Sequence, residues 1–194
     1  MMPAWLARTF LRLFNMRVVD HNEGNWPAKC VVPVGPHTSN WDFPYGLWAR
    51  AAIKQRIGFV GKESLFVWPV GPILKAMGGV PVVRKKRTNF VQAVAHVFNT
   101  REEFKLCIAM EGTRGKVQRF RTGFYYIARE ANVPLILVRF NFGERIIEFS
   151  KPFYLTDDIR ADFDFIYRHY DGIKGLKPKN SFEYDPEVAL KGIG

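Results

Sequence analysis

Six short apolar runs alternate with segments of helical spacing along this chain, and that alternation limits what it can become. The runs are Lys29–Val34, Gly58–Gly61, Val80–Val83, Leu106–Ala109, Leu135–Phe140 and Arg145–Phe149. They are rich in β-branched residues and short, as strands covered on both faces are. Between them Phe43–Gln55, Trp68–Met77, Phe90–Arg101 and Gly123–Ala131 read as helices, and Asp157–Tyr170 reads as a further one. This order predicts an α/β fold with a mostly parallel sheet flanked by helices. Asn141–Glu144 reads as a turn, which makes the last two strands an antiparallel hairpin. From Lys174 onward the chain is a polar finish containing Pro and Gly. With no internal repeat, 194 residues are enough for one such domain with a full core.

The start of the chain reads differently. Residues 1–18 form an expected amphipathic N-terminal helix, and residues 19–194 the single α/β domain. At about 100° per residue, Leu6, Phe10, Leu13 and Phe14 share one face, while Arg8, Arg12 and Asn15 share the other. Such a face has two destinations: an anionic membrane surface, or the domain's own sheet. Arg8, Arg12 and Arg17 interrupt the segment too often for a secretory leader. The most apolar stretch, Leu65–Val83, is broken by Lys75, Pro69, Pro72 and Pro81, and falls short of the about 20 clean residues a membrane span needs. The expected location is cytoplasmic, with peripheral association at the inner face of the cell membrane. Cys30 and Cys107 lie in apolar runs and read as buried free thiols.

Charge narrows the partners. Lys and Arg total 29 against 18 Asp and Glu, a net charge of +11. A chain so basic seeks anions, whether nucleic acid, an acidic membrane or a phosphorylated small molecule.

In sheets of this kind, ligands bind beyond the carboxyl ends of the strands, so chemistry is sought where strands hand over to loops. The first handover holds His37 and, five positions on, Asp42. On one continuous helix the two would point about 140° apart. With His37 in the loop and Asp42 in the first helical turn they can meet. A carboxylate on one imidazole nitrogen fixes the tautomer and leaves the other nitrogen as a general base. The alternative is that Asp42 caps the helix, with Pro44 in its first turn, and His37 packs. The second handover runs from Gly78-Gly79 to Arg84, then Lys85-Lys86-Arg87. Arg84 suits bidentate phosphate binding, and the following run also reads as a solvated loop. The third is Glu111-Gly112-Thr113-Arg114, followed by Phe120-Arg121-Thr122-Gly123. Backbone N–H groups around a Gly turn, with Arg114, make an anion cradle; an ordinary strand-end turn is the other reading.

Taken in order, these three segments and Val133-Pro134-Leu135 resemble the glycerol-phosphate and lysophosphatidic acid acyltransferase superfamily across about residues 29–142. That superfamily has a His-x4-Asp segment, a Gly-containing segment ending in Arg, a Glu-Gly-Thr-Arg segment and a Val-Pro strand. This chain departs from it in having Met110 before Glu111 and Val83 before Arg84. The resemblance implies a glycerolphosphate acyltransferase-like fold. It implies transfer of a fatty acyl group from acyl-CoA or acyl carrier protein to a phosphorylated glycerolipid acceptor such as lysophosphatidic acid, in phospholipid biosynthesis. His37 and Asp42 would be catalytic. Arg84, Glu111, Gly112, Thr113 and Arg114 would bind substrate, with Glu111 orienting Arg114 or bonding a glycerol oxygen. No cofactor and no metal are expected. The scattered His21, His37, His96 and His169 do not make a metal site, and His96 reads as a structural residue in an apolar helix. Two other functions compete. One is a thioesterase or esterase using the same dyad. The other is a nucleic-acid-binding protein using the basic run with Phe120, Phe124, Tyr125 and Tyr126, although no nucleic-acid motif is present and nucleic acid is not the expected partner.

Overall fold

The computed structural model describes residues 2–82 and 87–193. In chain order the strands are β1 (Arg17–Asp20), β2 (Lys29–Gly35), β3 (Ile57–Lys62), β4 (Gly79–Val82), β5 (Phe104–Ala109), β6 (Val138–Asn141) and β7 (Ile146–Phe149). The helices are α1 (Ala4–Leu13), α2 (Asp42–Ala52), α3 (Val70–Ala76), α4 (Arg87–Asn99), α5 (Gly123–Glu130), α6 (Ile159–Tyr170) and α7 (Pro186–Ala189).

These strands form one sheet in the order β1-β7-β6-β2-β5-β3-β4. β6, β2, β5, β3 and β4 run in the same direction, while β7 is antiparallel to β6 and carries β1 parallel to itself. The expected hairpin is present, with Val138 opposite Phe149. β1 is absent from the runs that the sequence marks as strands. It has four residues and sits at a sheet edge, and its partner β7 lies far along the chain, so no local signal announces it.

Central β2 is buried over nearly its whole length, and its side chains divide between two cores. Cys30, Val32 and Val34 face one core with α1 and α2; Val31 faces the other, built from Phe98, Phe124, Ile127, Phe163 and Tyr167 on α4, α5 and α6. Each large apolar side chain buried this way contributes roughly 1.5–3 kcal/mol. Pro33 interrupts β2's supply of N–H donors, and there the ladder to β6 opens. The Tyr170 hydroxyl fills the gap, donating to the Pro33 carbonyl at 2.9 Å and accepting from the Val138 N–H at 3.1 Å.

α1 is shorter than the sequence suggests. Asn15 takes a left-handed φ of 52°, and the chain leaves the helix for β1. Ala7 and Leu11 are buried against the domain. Phe10 and Phe14 stack on Trp48 of α2, and Arg8 donates to the Ala52 carbonyl at 3.1 Å. The helix therefore docks along α2, running antiparallel to it, with Ala7 and Leu11 in the core shared by α2 and the sheet, while Trp5 and Leu13 stay exposed. Among the described residues no helix is long and apolar enough to cross a membrane.

Candidate active site

β2 ends at Gly35 and α2 begins at Asp42, so the chain between them crosses the carboxyl end of the sheet. Gly35 leaves no room for a side chain: a Cβ there would lie 2.8 Å from Cε of Met110 and 3.3 Å from Oε1 of Glu111. Asp42 is almost wholly buried. Its Oδ2 accepts the main-chain N–H groups of Thr38 and Ser39, each at 2.8 Å, and lies 3.0 Å from Nδ1 of His37. α2 has no side-chain cap; the carboxylate instead gathers the loop before the helix. With Nδ1–H held by Asp42, Nε2 of His37 is left to accept a proton. Oδ1 of Asp42 is buried and has no partner in the structure.

Glu111 follows β5 and is buried beside this loop. Its Oε1 accepts the His37 N–H at 2.9 Å, and its Oε2 has no partner. Burial pushes the Glu111 carboxyl above its ordinary range, and the neighbouring Asp42 charge adds to this, while the His37 N–H opposes it. The bond to His37 is a different role from the two expected for Glu111: it fixes the histidine's main chain.

Arg114 and Thr113 are exposed on the loop after Glu111, and both line the cleft beside His37 and Asp42. Gly112 supplies the turn with a φ of 65° and lies against the Arg121 side chain, whose Cγ would be 3.1 Å from an added Cβ. The Arg121 N–H donates to the Met110 carbonyl at 2.8 Å, so the loop folds back and brings a second guanidinium to the cleft. The sequence shows Arg121 two positions ahead of the α5 Gly123, but nothing in it shows this return. Arg84 and the Lys85-Lys86 pair lie outside the described residues.

The polar tail also reaches the site. The Lys177 N–H donates to Oγ1 of Thr38 at 3.1 Å, and Nδ2 of Asn180 donates to the Arg114 carbonyl at 2.9 Å. Gly175 packs so closely on Thr38 that a Cβ would lie 2.6 Å from its Cγ2. Residues 174–180 thus span the His37 loop and the Arg114 loop.

The cleft holds about 1680 Å³, and Val34, Leu47, Phe59, Cys107 and Ala109 give it apolar walls. Burial pushes the Cys107 thiol up to about 12, and the Cys30 thiol likewise, so neither is a ready thiolate nucleophile. Among the described residues no group of His, Cys, Asp and Glu is arranged to hold a metal. His96 is exposed on α4 rather than packed.

Comparison with known proteins gives three findings. A family model described as Acyltransferase matches residues 17–141. Human 1-acyl-sn-glycerol-3-phosphate acyltransferase beta is 27% identical over 164 residues, a stretch covering 80% of this chain and 57% of the human protein. This chain therefore spans a little over half the length of that relative. The crystal structure of the 1-acyl-sn-glycerophosphate acyltransferase PlsC from Thermotoga maritima has the same fold, with a TM-score of 0.59 and 18% identity over 86% of this chain and 74% of that one.

Proposed function

This chain belongs to the acyltransferase family, and from that premise we propose that it moves a fatty acyl group from an acyl thioester to the free hydroxyl of a phosphorylated glycerolipid such as lysophosphatidic acid. The observation that carries the reading is the His37–Asp42 pair at 3.0 Å, lining one cleft with Arg114 and Arg121. The names of the human relative and the Thermotoga neighbour support the acceptor class.

Nε2 of His37 takes the acceptor hydroxyl proton as the oxygen attacks the thioester carbonyl. Asp42 holds the imidazole and stabilises its positive charge. The tetrahedral intermediate collapses, the carbon–sulfur bond breaks, and the imidazolium returns the proton to the leaving thiolate. With both cysteines held as thiols by burial, transfer runs directly to the acceptor. Arg114 and Arg121 hold its phosphate, which keeps the hydroxyl in reach of His37, and Arg84 is retained as a third candidate. The apolar walls take the acyl chain. Acyl-CoA and acyl carrier protein both qualify as donor, no cofactor or metal enters these steps, and a lipid acceptor fits a protein that works at a membrane surface, in this reading the inner face of the cell membrane.

Incubating purified protein with labelled acyl-CoA or acyl carrier protein, plus lysophosphatidic acid, tests the reading. Phosphatidic acid as product supports it. Free fatty acid with no phosphatidic acid would make the protein a thioesterase. Retention of nucleic acid without any turnover would make it a basic binding protein.

A further inference from the structure

β3, β4, β5 and β2 are parallel, so the segment that leaves β3 emerges at the same end of the sheet as His37. That segment passes through a short 3-10 turn at Glu63–Leu65 and returns through α3 to the start of β4. Its apex is tightly built: Gly71 packs on the Phe66 main chain, and its N–H donates to the Val67 carbonyl at 2.6 Å. Yet it turns its large apolar side chains outward. Trp68 is 84% exposed, Val67 63%, Ile73 60% and Val70 52%. Exposed apolar patches built on ordered backbone mark contact surfaces. Trp41 and Phe43, at the start of α2 and hence at the same end, are exposed as well.

Charge at this end indicates the partner. Exposed Arg114, Arg119 and Arg121 come from the β5–α5 loop, and exposed Lys174, Lys177 and Lys179 from the tail that spans the site. An apolar, Trp-bearing knob flanked by cations suits the interface of an anionic bilayer, where aromatic rings sit at headgroup depth and basic side chains meet acidic lipid. We infer that the Val67–Ile73 knob inserts into an anionic membrane surface and sets the His37 end of the sheet against it. This deepens the proposed function, since it rests on a lipid acceptor. It also shifts the main anchor away from α1, which has turned Ala7 and Leu11 into the domain: its Trp5 lies at the far end, since Arg8 reaches the last residue of α2, and only its last turn, with exposed Leu13, reaches the His37 end.

The test is co-sedimentation of the full chain with vesicles of phosphatidylcholine alone and of phosphatidylcholine mixed with phosphatidylglycerol. Wild type should prefer the anionic vesicles. Trp68→Glu should weaken that binding roughly tenfold or more, since it removes one large side chain from the apolar phase. Trp68→Phe should keep most of it, and Trp5→Glu should bind as wild type does. Unchanged binding by Trp68→Glu overturns the inference. So does equal loss in Leu13→Glu, at the α1 turn nearest the His37 end, or in Trp5→Glu, either of which would make α1 the anchor. Wild-type dimers that Trp68→Glu dissolves, without vesicle binding, would assign the knob to a second copy of the chain and overturn it too. Sedimentation is independent of turnover, so a protein that binds through Trp68 and transfers no acyl group would sink the proposed reaction and leave this surface standing.

Discussion

The main-chain N–H of His37 donates to Oε1 of Glu111 at 2.9 Å, which makes the loop after β2 and the loop after β5 a single unit. Asp42 gathers the same loop from the other side, through Thr38, Ser39 and the imidazole. One carboxylate sets where the histidine's backbone lies; the other sets which way its ring points.

Removing the ring should therefore stop the chemistry and spare the fold. His37→Ala is expected to lower kcat by about 10²- to 10⁴-fold, the usual worth of a positioned general base, with little change in Tm. Asp42→Asn should cost nearly as much activity and also lower Tm, since Oδ2 serves three donors. Rates and melting curves for both variants check this; wild-type turnover in either folded protein would remove the dyad from the mechanism.

Glu111→Gln separates two roles. Glutamine keeps an oxygen for the His37 N–H, so if Glu111 positions the loop, kcat should stay near wild type. Glu111→Ala leaves that buried N–H unpartnered at a cost of about 1–3 kcal/mol, and should lower kcat about 10²-fold through misplacement of the ring. The pH behaviour adds a second readout. The folded carboxyl titrates above its unfolded value, so the folded state holds this proton more tightly. Its contribution to stability is full at pH below the unfolded value and declines as pH rises through the folded one. The Glu111→Gln protein should lack that decline when Tm is followed upward from about pH 4. Equal kinetic loss in Gln and Ala would mean that the carboxylate itself contacts substrate.

Arg114→Lys and Arg121→Lys should each raise KM for the phosphorylated acceptor and leave the thioester KM nearly unchanged. Lysine keeps the charge but loses the planar fork that grips phosphate at two points. Measuring both constants decides the matter, and a rise confined to the thioester would reassign that arginine to the donor.

Much of this molecule is legible in its sequence where the signal is local. Short β-branched runs mark β2 and β5, because a central strand must be largely apolar, and the Asn141–Glu144 turn marks the β6–β7 hairpin, whose strands bury only every second residue. The His37–Asp42 spacing carries its geometry because loop and helix start lie within six residues. What escapes is long-range. β1 is a strand only because β7 exists to pair with it. Glu111 reaches His37 across 74 positions, and Arg121 reaches the cleft only because its loop folds back onto Met110. α1 ends early because Asn15 adopts a left-handed turn, a conformation that a polar side chain permits but does not announce.

His169 should make the protein acid-sensitive. It packs against Phe165 and Tyr170, with Nε2 buried and unpartnered. Burial, with Arg139 nearby, lowers its titration from 6.5 to about 4, against the opposing pull of Glu148. The unfolded chain then takes up the proton first, so this group's contribution to stability is present above the unfolded value and lost as pH falls from about 6.5 toward about 4. His169→Phe should flatten the Tm profile over that range; an unchanged profile would show that other groups govern acid unfolding.

The tail gives the last expectation, because it acts on the site without lining the cleft. Gly175 lies against Thr38, whose N–H is held by Asp42 and whose hydroxyl accepts from Lys177. Gly175→Ala forces a methyl group to 2.6 Å from Cγ2 of Thr38, and the loop carrying His37 must move. Overpacking of this kind costs about 1–3 kcal/mol, and a shift of about 1 Å at the reacting group can cost 10²-fold in rate. Asn180→Ala instead frees the Arg114 carbonyl and should raise the acceptor KM with a smaller change in kcat. The two variants should therefore split, kcat falling in the first and acceptor KM rising in the second. Steady-state kinetics on both, beside melting curves, reads the split directly. If both lose only Tm, residues 174–180 brace the fold and have no hold on the positions of His37 and Arg114.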